Sequence, residues 1–309
     1  MKKLFANYKI LFVCVGMIII SSLVNSSFLT EDNLLNILKQ VTVNGILACG
    51  MTFVMLTGGF DLSVGSVLSV GAVFGVGLIP HFGTGGAIIA ALLIGTMAGM
   101  ITGTILSKIN ANSGEAFMIT LGFQLIYAGV ALIYTNGGRM MLPADGAPFY
   151  TAIGQGKIFG FLPVPVLIFI VVALVSHIVL AYTTFGRKIY LTGGGYEAAR
   201  LSGVRVGFYK MIVYAIAGLS AAVAGIILSS RVNGGLPEAG KGYELYAIAA
   251  VMVGGIAGGE GNIVKTLLGV LTIGILGNIL NLMGVSPFNQ RILMGIIIVA
   301  AVWMQRRKT

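Results

Sequence analysis

Charge is what this chain of 309 residues has least of, with Asp, Glu, Lys and Arg together making 9% of it, against roughly 25% in soluble domains. A surface facing water on every side cannot be built from so few ionised groups. With 57% hydrophobic residues and a mean hydropathy of +0.99, the chain is expected in a bilayer. Acidic residues number nine and histidines two. His81 lies beside a proline and His177 inside an apolar run, neither with a partner at ligand spacing, and no nucleophile motif is present. Catalysis and metal binding are thereby excluded, and no cofactor is expected. The segment GGEGNIVKT resembles a phosphate-cradling loop, but Val264 rather than Gly precedes Lys265, so the chain is expected to bind no ATP itself. The two cysteines, Cys14 and Cys49, sit in apolar runs without CxxC or Cys/His spacing and read as small core residues. The net charge of +10 is spread between apolar runs instead of clustered with readable polar neighbours, which excludes a nucleic-acid partner.

What the chain does have is apolar length. About ten spans of about 20 residues fit. Hydropathy places them near 10–28, 37–57, 63–80, 86–107, 117–134, 163–183, 211–230, 244–258, 264–283 and 286–304. The fold class is therefore an all-α polytopic membrane protein, residues 1–309 forming one transmembrane domain. The opening MKKLFANYKILFVCVGMIIISSLVNSS has a basic start but a long apolar run without a clean small-x-small cleavage site, and reads as an uncleaved first span. With the N-terminus inside, the inner segments carry thirteen basic residues (Lys2, Lys3, Lys9, Lys108, Arg187, Lys188, Arg200, Arg205, Lys210, Lys265, Arg306, Arg307 and Lys308). The outer segments carry six (Lys39, Arg139, Lys157, Arg231, Lys241 and Arg291). Positive flanks resist translocation, so both termini are expected in the cytoplasm.

Glycine is abundant, at 46 residues, and Gly95, Gly99 and Gly103 recur every four positions, a ridge that another helix backbone can approach closely. Two glycine pairs differ from this. TFVMLTGGFDLSVGS (52–66) and AAVMVGGIAGGEGNIVKT (249–266) each interrupt an apolar run, as discontinuous helices do in transporters. Gly58, Gly59, Gly254 and Gly255 are accordingly candidates for a translocation path, with Asp61 and Ser63 following the first pair. Asp61 either caps the helix that follows or lines the path, since an intramembrane carboxylate is costly enough to be a functional candidate. Asn44, Gln124, Asn278 and Asn281 fall inside spans, and the last two share a helix face; such groups bond a polyhydroxylated cargo or bond across helices. The long outer loop, 135–163, is Gly- and Pro-rich and reads as a short lid or a surface loop.

Between two apolar runs lies GGGYEAARLSGVRVGFYK (193–210). Glu197, Ala198 and Ala199 favour a short helix, Gly203 a break, and a second helix is expected from about Val206. The connection, from about 185 to 210, is longer than neighbouring spans require, which suggests a docking interface rather than a plain link.

The segments GGFDLSVGS, GYEAARLSGV, GLSAAVAGIILSSRVNGGLPEAGKGYELYAIAAVMVGG and NLMGVSPFNQRILMGIIIVAAV together resemble the permease subunits of sugar ABC importers, nearest to the ribose, galactose, xylose and autoinducer-2 branch. The resemblance implies a multi-pass protein of the bacterial inner membrane. It implies as partners separate ATPase subunits, an extracytoplasmic sugar-binding protein, a second permease copy or close relative, and membrane lipid. It implies that loop 185–210 is the coupling element, with Gly194, Tyr196, Glu197, Ala198, Ala199 and Gly203 at the ATPase. Two stretches depart from the family pattern: GGIAGGEG at 254–261, and NANSGEAF at 110–117, at the entry to the fifth span.

Overall fold

The computed structural model describes residues 9–143 and 147–306. Lys2, Lys3, Arg307 and Lys308 of the charge count, the ends of the proposed domain, and residues 144–146 of the long outer loop lie outside the described residues.

Helices follow the apolar runs: α1 (Lys9–Val24), α2 (Glu31–Leu56), α3 (Val64–Gly77), α4 (Ile79–Lys108), α5 (Ser113–Thr135), α6 (Pro148–Gln155), α7 (Val164–Tyr182), α8 (Thr184–Gly194), α9 (Tyr196–Leu201), α10 (Val206–Arg231), α11 (Tyr243–Val253), α12 (Ile263–Leu282) and α13 (Pro287–Arg306). Each of the ten expected spans falls on one of them. Six helices, α2, α4, α5, α7, α10 and α12, are long and apolar enough to cross a membrane. Helices α3 and α11, at about 21 and 17 Å, fall well short of a hydrocarbon core of about 30 Å.

Local chemistry sets the ends. Helix α2 starts at Glu31, six residues before the hydropathic edge, because Glu31 and Asp32 in its first turn complement the positive helix start. Helix α5 starts on a capping box: the Asn112 side chain accepts from the Glu115 N–H, and the Glu115 carboxylate accepts from the Asn112 N–H. The departure at 110–117 is thus a strong helix start. Helix α11 ends at Val253, five residues before the expected 258. Its last turn closes by Gly255 N–H to Met252 O (2.8 Å) and Ile256 N–H to Val251 O (3.2 Å), with Gly255 at φ 76°. Helix α2 ends the same way, by Gly58 N–H to Met55 O and Gly59 N–H to Val54 O, with Gly58 at φ 80°. The similar strings VMLTGG and VMVGG are therefore one helix stop used twice, a left-handed residue folding two N–H groups back onto the last turn.

The centre of the bundle is α3, α4 and α10, held backbone to backbone. A Cβ on Gly99 would meet the Tyr214 carbonyl, one on Gly103 the Met211 carbonyl (2.8 Å), one on Gly218 the Gly95 carbonyl and one on Gly225 the Leu68 carbonyl. The glycine ridge of α4 thus receives α10. Helix α2 packs on the same core and is tied to α12 by two polar contacts, Thr52 Oγ1–Thr266 Oγ1 (2.7 Å) and a reciprocal amide pair between Asn33 and Asn278 (2.8 and 3.1 Å).

The molecule has two distinct ends. At one, strand β1 (Met140–Met141) pairs antiparallel with β4 (Gly234–Gly235), and Tyr150 of α6 meets Ser229 of α10 (2.6 Å). The long loop is thus structured, with α6 and a small hairpin of β2 (Lys157–Ile158) and β3 (Leu162–Pro163). At the other end lie α8 and α9, the stops of α2 and α11, and the starts of α5 and α12. There Gly259 N–H reaches Leu56 O (2.8 Å), Ser113 Oγ donates to Gly58 O (2.7 Å) and the Tyr190 hydroxyl donates to Gly261 O (3.0 Å). Burial raises the Tyr190 phenol above its ordinary pKa, which keeps it a donor.

Candidate functional site

Two polar features carry the chemistry. The first is inside the bundle, where the two short helices begin. After β4 the chain runs without helix back along α3, passing Ala72–Val73 at Gly235 and Gly65–Ser69 at Gly240, before α11 starts. The starts of α3 and α11 meet there. A Cβ on Gly240 would strike the Gly65 carbonyl, and one on Gly65 would strike the Glu244 carboxylate, so glycine at both positions is what permits the approach. Unpaired backbone groups inside a membrane protein need partners. Ser69 Oγ accepts from Gly240 N–H (2.9 Å), and Glu244, itself buried, accepts from Gly242 N–H (3.0 Å) and from Gln124 Nε2 (3.2 Å). One turn away on the same face of α5, Thr120 Oγ1 accepts from Leu62 N–H (3.2 Å). Helix α5 thereby holds both breaks through Thr120 and Gln124.

Asp61 lies in the first break, buried. Its Oδ1 accepts from the Ser63 N–H (2.9 Å) and the Ser63 hydroxyl (2.6 Å). This turn stands ahead of α3 and braces its approach, and no side chain caps α3 itself. Tyr214 of α10 donates to Phe60 O (2.9 Å) and fixes the other side of the same segment.

The second feature is a cavity of about 220 Å³ at the α8–α9 end. Its walls come from the α2 stop (Thr57, Gly58, Gly59), the start of α5 (Ser113), the first residue of α9 (Tyr196) and, on α10, Lys210. Lys210 Nζ donates to Ala111 O (2.9 Å) and sits 5.9 Å from the centre of the Tyr196 ring, whose hydroxyl donates to Asn110 (2.9 Å). Gly58 and Gly59, proposed from sequence for the path, and Tyr196, proposed for coupling, thus share one cavity.

Beyond it, α9 presents an exposed face. Glu197 and Arg200 approach to 3.9 Å in the open, and Leu201 is 85% exposed. Ala198 is on this exposed side, whereas Ala199, expected beside it, faces inward and packs with Val204 and Val206. The helical period explains this, since neighbours in a helix point about 100° apart. Gly203 stops α9 at φ 77°, a left-handed conformation that favours glycine. Gly194 ends α8.

The remaining sequence candidates lie apart. Gly254 and Gly255 form the stop of α11, and an added Cβ at Gly254 would meet the Lys265 carbonyl (2.6 Å). Asn278 is committed to Asn33, and Asn281 accepts from Gln290 (2.7 Å) across the turn into α13. Asn44 Oδ1 is buried without a hydrogen-bond partner among the described residues. Two residues escaped the sequence reading. Glu244 was detectable as a lone acid at the head of an apolar run, and Leu201 as the large apolar residue within EAARLSG (197–203).

Comparison with known proteins follows the same outline. The family model described as the permease component of branched-chain amino acid transport systems matches residues 33–302. The ribose import permease protein RbsC of Escherichia coli (strain K12) is 42% identical over 304 residues, 97% of this chain and 94% of that protein. The protein of the same name from Bacillus subtilis (strain 168) is 42% identical over 299 residues, 95% of this chain and 90% of that one. The L-arabinose transport system permease protein AraH of Escherichia coli (strain K12) is 34% identical over 316 residues, 99% of this chain and 92% of that protein. No solved structure matches the chain.

Proposed function

We propose, from the premise that this chain belongs to the family of permease components of branched-chain amino acid transport systems, that it is the membrane subunit of an ATP-driven importer for a ribose-like monosaccharide. The family description names amino acids, but relatives that align over at least 93% of this chain include permeases for ribose, L-arabinose and D-allose. The observation that carries the reading is the 42% identity over 97% of the chain, which takes in both helix stops and the α9 island alike.

In this reading ten segments cross the inner membrane of a bacterium, α3 and α11 each doing so together with the non-helical stretch before it, with both termini and the α8–α9 end in the cytoplasm. The β1–β4 end faces an extracytoplasmic binding protein that delivers the sugar. The exposed face of α9 docks on an ATPase subunit, which alone hydrolyses ATP, and a second permease copy or close relative completes the path. Leu201 supplies the apolar contact and Glu197 the charged one.

The test is reconstitution in vesicles with the ATPase subunits and binding protein. ATP-dependent ribose uptake is expected. Leu201→Asp is expected to lower ATPase co-purification by about tenfold or more, since it replaces a central apolar anchor with a charge. Glu197→Lys is expected to have a smaller, salt-sensitive effect. No ribose uptake by the complete assembly would overturn the cargo. Undiminished co-purification of both variants would remove α9 from the interface.

A further inference from the structure

The cavity at the α8–α9 end is unlike the bundle core. Three of its lining hydroxyls have spent their protons on backbone carbonyls: Ser113 on Gly58 O (2.7 Å), Thr57 on Val54 O (2.8 Å) and Thr192 on Lys188 O (2.8 Å). Each therefore presents only acceptor lone pairs to the space. Lys210 has spent one of its three N–H groups on Ala111 O and retains two. Tyr196 and Tyr214 add ring surface. Acceptors, a strong donor and aromatic faces around one small volume suit a neutral polyol, whose hydroxyls both donate and accept.

Size agrees. A volume of about 220 Å³ is below the roughly 300–1,000 Å³ of drug-sized pockets, and fits a ligand of about ten heavy atoms. The cavity also lies where the first helix break opens: Gly58 and Gly59 form its wall, and Phe60 and Asp61 follow directly.

We infer that this cavity is a resting site for a free monosaccharide on the cytoplasmic side of the permease, walled on one side by the coupling helix itself. The inference rests on the importer reading above. Because Tyr196 is the first residue of α9, any displacement of that helix moves a wall of the site, so occupancy and docking are mechanically joined. Tyr196 is a positioning and contact residue here.

The experiment uses the whole transporter in inverted vesicles without ATP. Both native cysteines, Cys14 and Cys49, are buried, so an introduced thiol reports alone. Ser113→Cys places it in the cavity, and Ser202→Cys on exposed α9 serves as control. Ribose at about ten times its half-protecting concentration is expected to slow labelling of Ser113→Cys by an impermeant thiol reagent about tenfold, and to leave Ser202→Cys unchanged. Ala116→Leu, at a buried lining position of α5, is expected to cut ribose uptake about tenfold by narrowing the space, with ATPase co-purification retained. Absence of ribose uptake by the unaltered transporter overturns the importer reading and this site with it. Uptake with unprotected Ser113→Cys overturns the site alone, as does protection by inorganic phosphate instead of ribose, or full uptake by Ala116→Leu.

Discussion

Helices α2 and α7 invert the rule that apolar residues go inside. The most apolar 18-residue window of α7 has a mean hydropathy of 2.8, yet only 28% of it is buried; that of α2 has 1.4, yet 78% is buried. In water the more apolar helix would be the buried one. In a bilayer, lipid tails are as apolar as leucine, so burial of large side chains supplies little net drive and helices associate through close backbone packing and hydrogen bonds. Helix α2 accordingly carries Asn33, Thr42 and Thr52, each hydrogen-bonded, while α7 turns Ile170, Val171, Leu174 and Val175 outward. Apolar side chains fill the core and cover the rim alike, and what the core adds is close backbone contact and paired polar groups.

The severest way to break this comparison is to add volume where backbones touch. Gly99→Val brings a branched Cβ against the Tyr214 carbonyl and the Gly218 N–H, and is expected to cost about 3 kcal/mol or more and to leave no monodisperse protein on size-exclusion chromatography in detergent. A folded variant would show that the α4–α10 contact is loose. An intermediate effect is expected from Asn278→Leu, which leaves the Asn33 Oδ1 without its donor while Nδ2 keeps Phe28 O (2.8 Å), and is expected to cost about 1–2 kcal/mol. Asn33→Leu is expected to cost more, since it also takes the donor from the Phe28 carbonyl; thermal unfolding of the two variants in detergent checks the order. The smallest effect belongs to the rim. Ile170→Ala, 51% exposed before substitution, is expected to change stability by at most about 0.5 kcal/mol, and a larger shift in the same thermal assay would mean that α7 faces protein in the membrane and not lipid.

How far the sequence told this in advance depended on whether a feature was local. The ten apolar runs, the glycine ridge on α4, the two glycine stops and the start of α10 at Val206 are all properties of neighbouring residues, and were legible. The breaks themselves were only half legible. The glycine pairs at 58–59 and 254–255 mark where helices stop, but nothing in SRVNGGLPEAGKGYE says that residues 232–242 run along α3 with Gly235 and Gly240 against it and Glu238 and Lys241 left exposed. That path depends on Ser69 and Gly65, more than 160 residues earlier in the chain. Glu244 is the same case: its partner Gln124 is 120 residues away. The inward turn of Ala199 is hidden for a smaller reason, that composition alone does not say which position of a six-residue helix faces the core.

The brevity of α11 constrains how the chain is made. Eleven residues reach about 17 Å, so this helix cannot enter the bilayer as an independent hydrophobic segment in the way that α10 or α12 can. The non-helical stretch before it would carry bare N–H and C=O groups into hydrocarbon without Ser69 and strand β1 to pair with them. Residues 232–253 therefore depend on α3 and on the long loop for their place in the membrane.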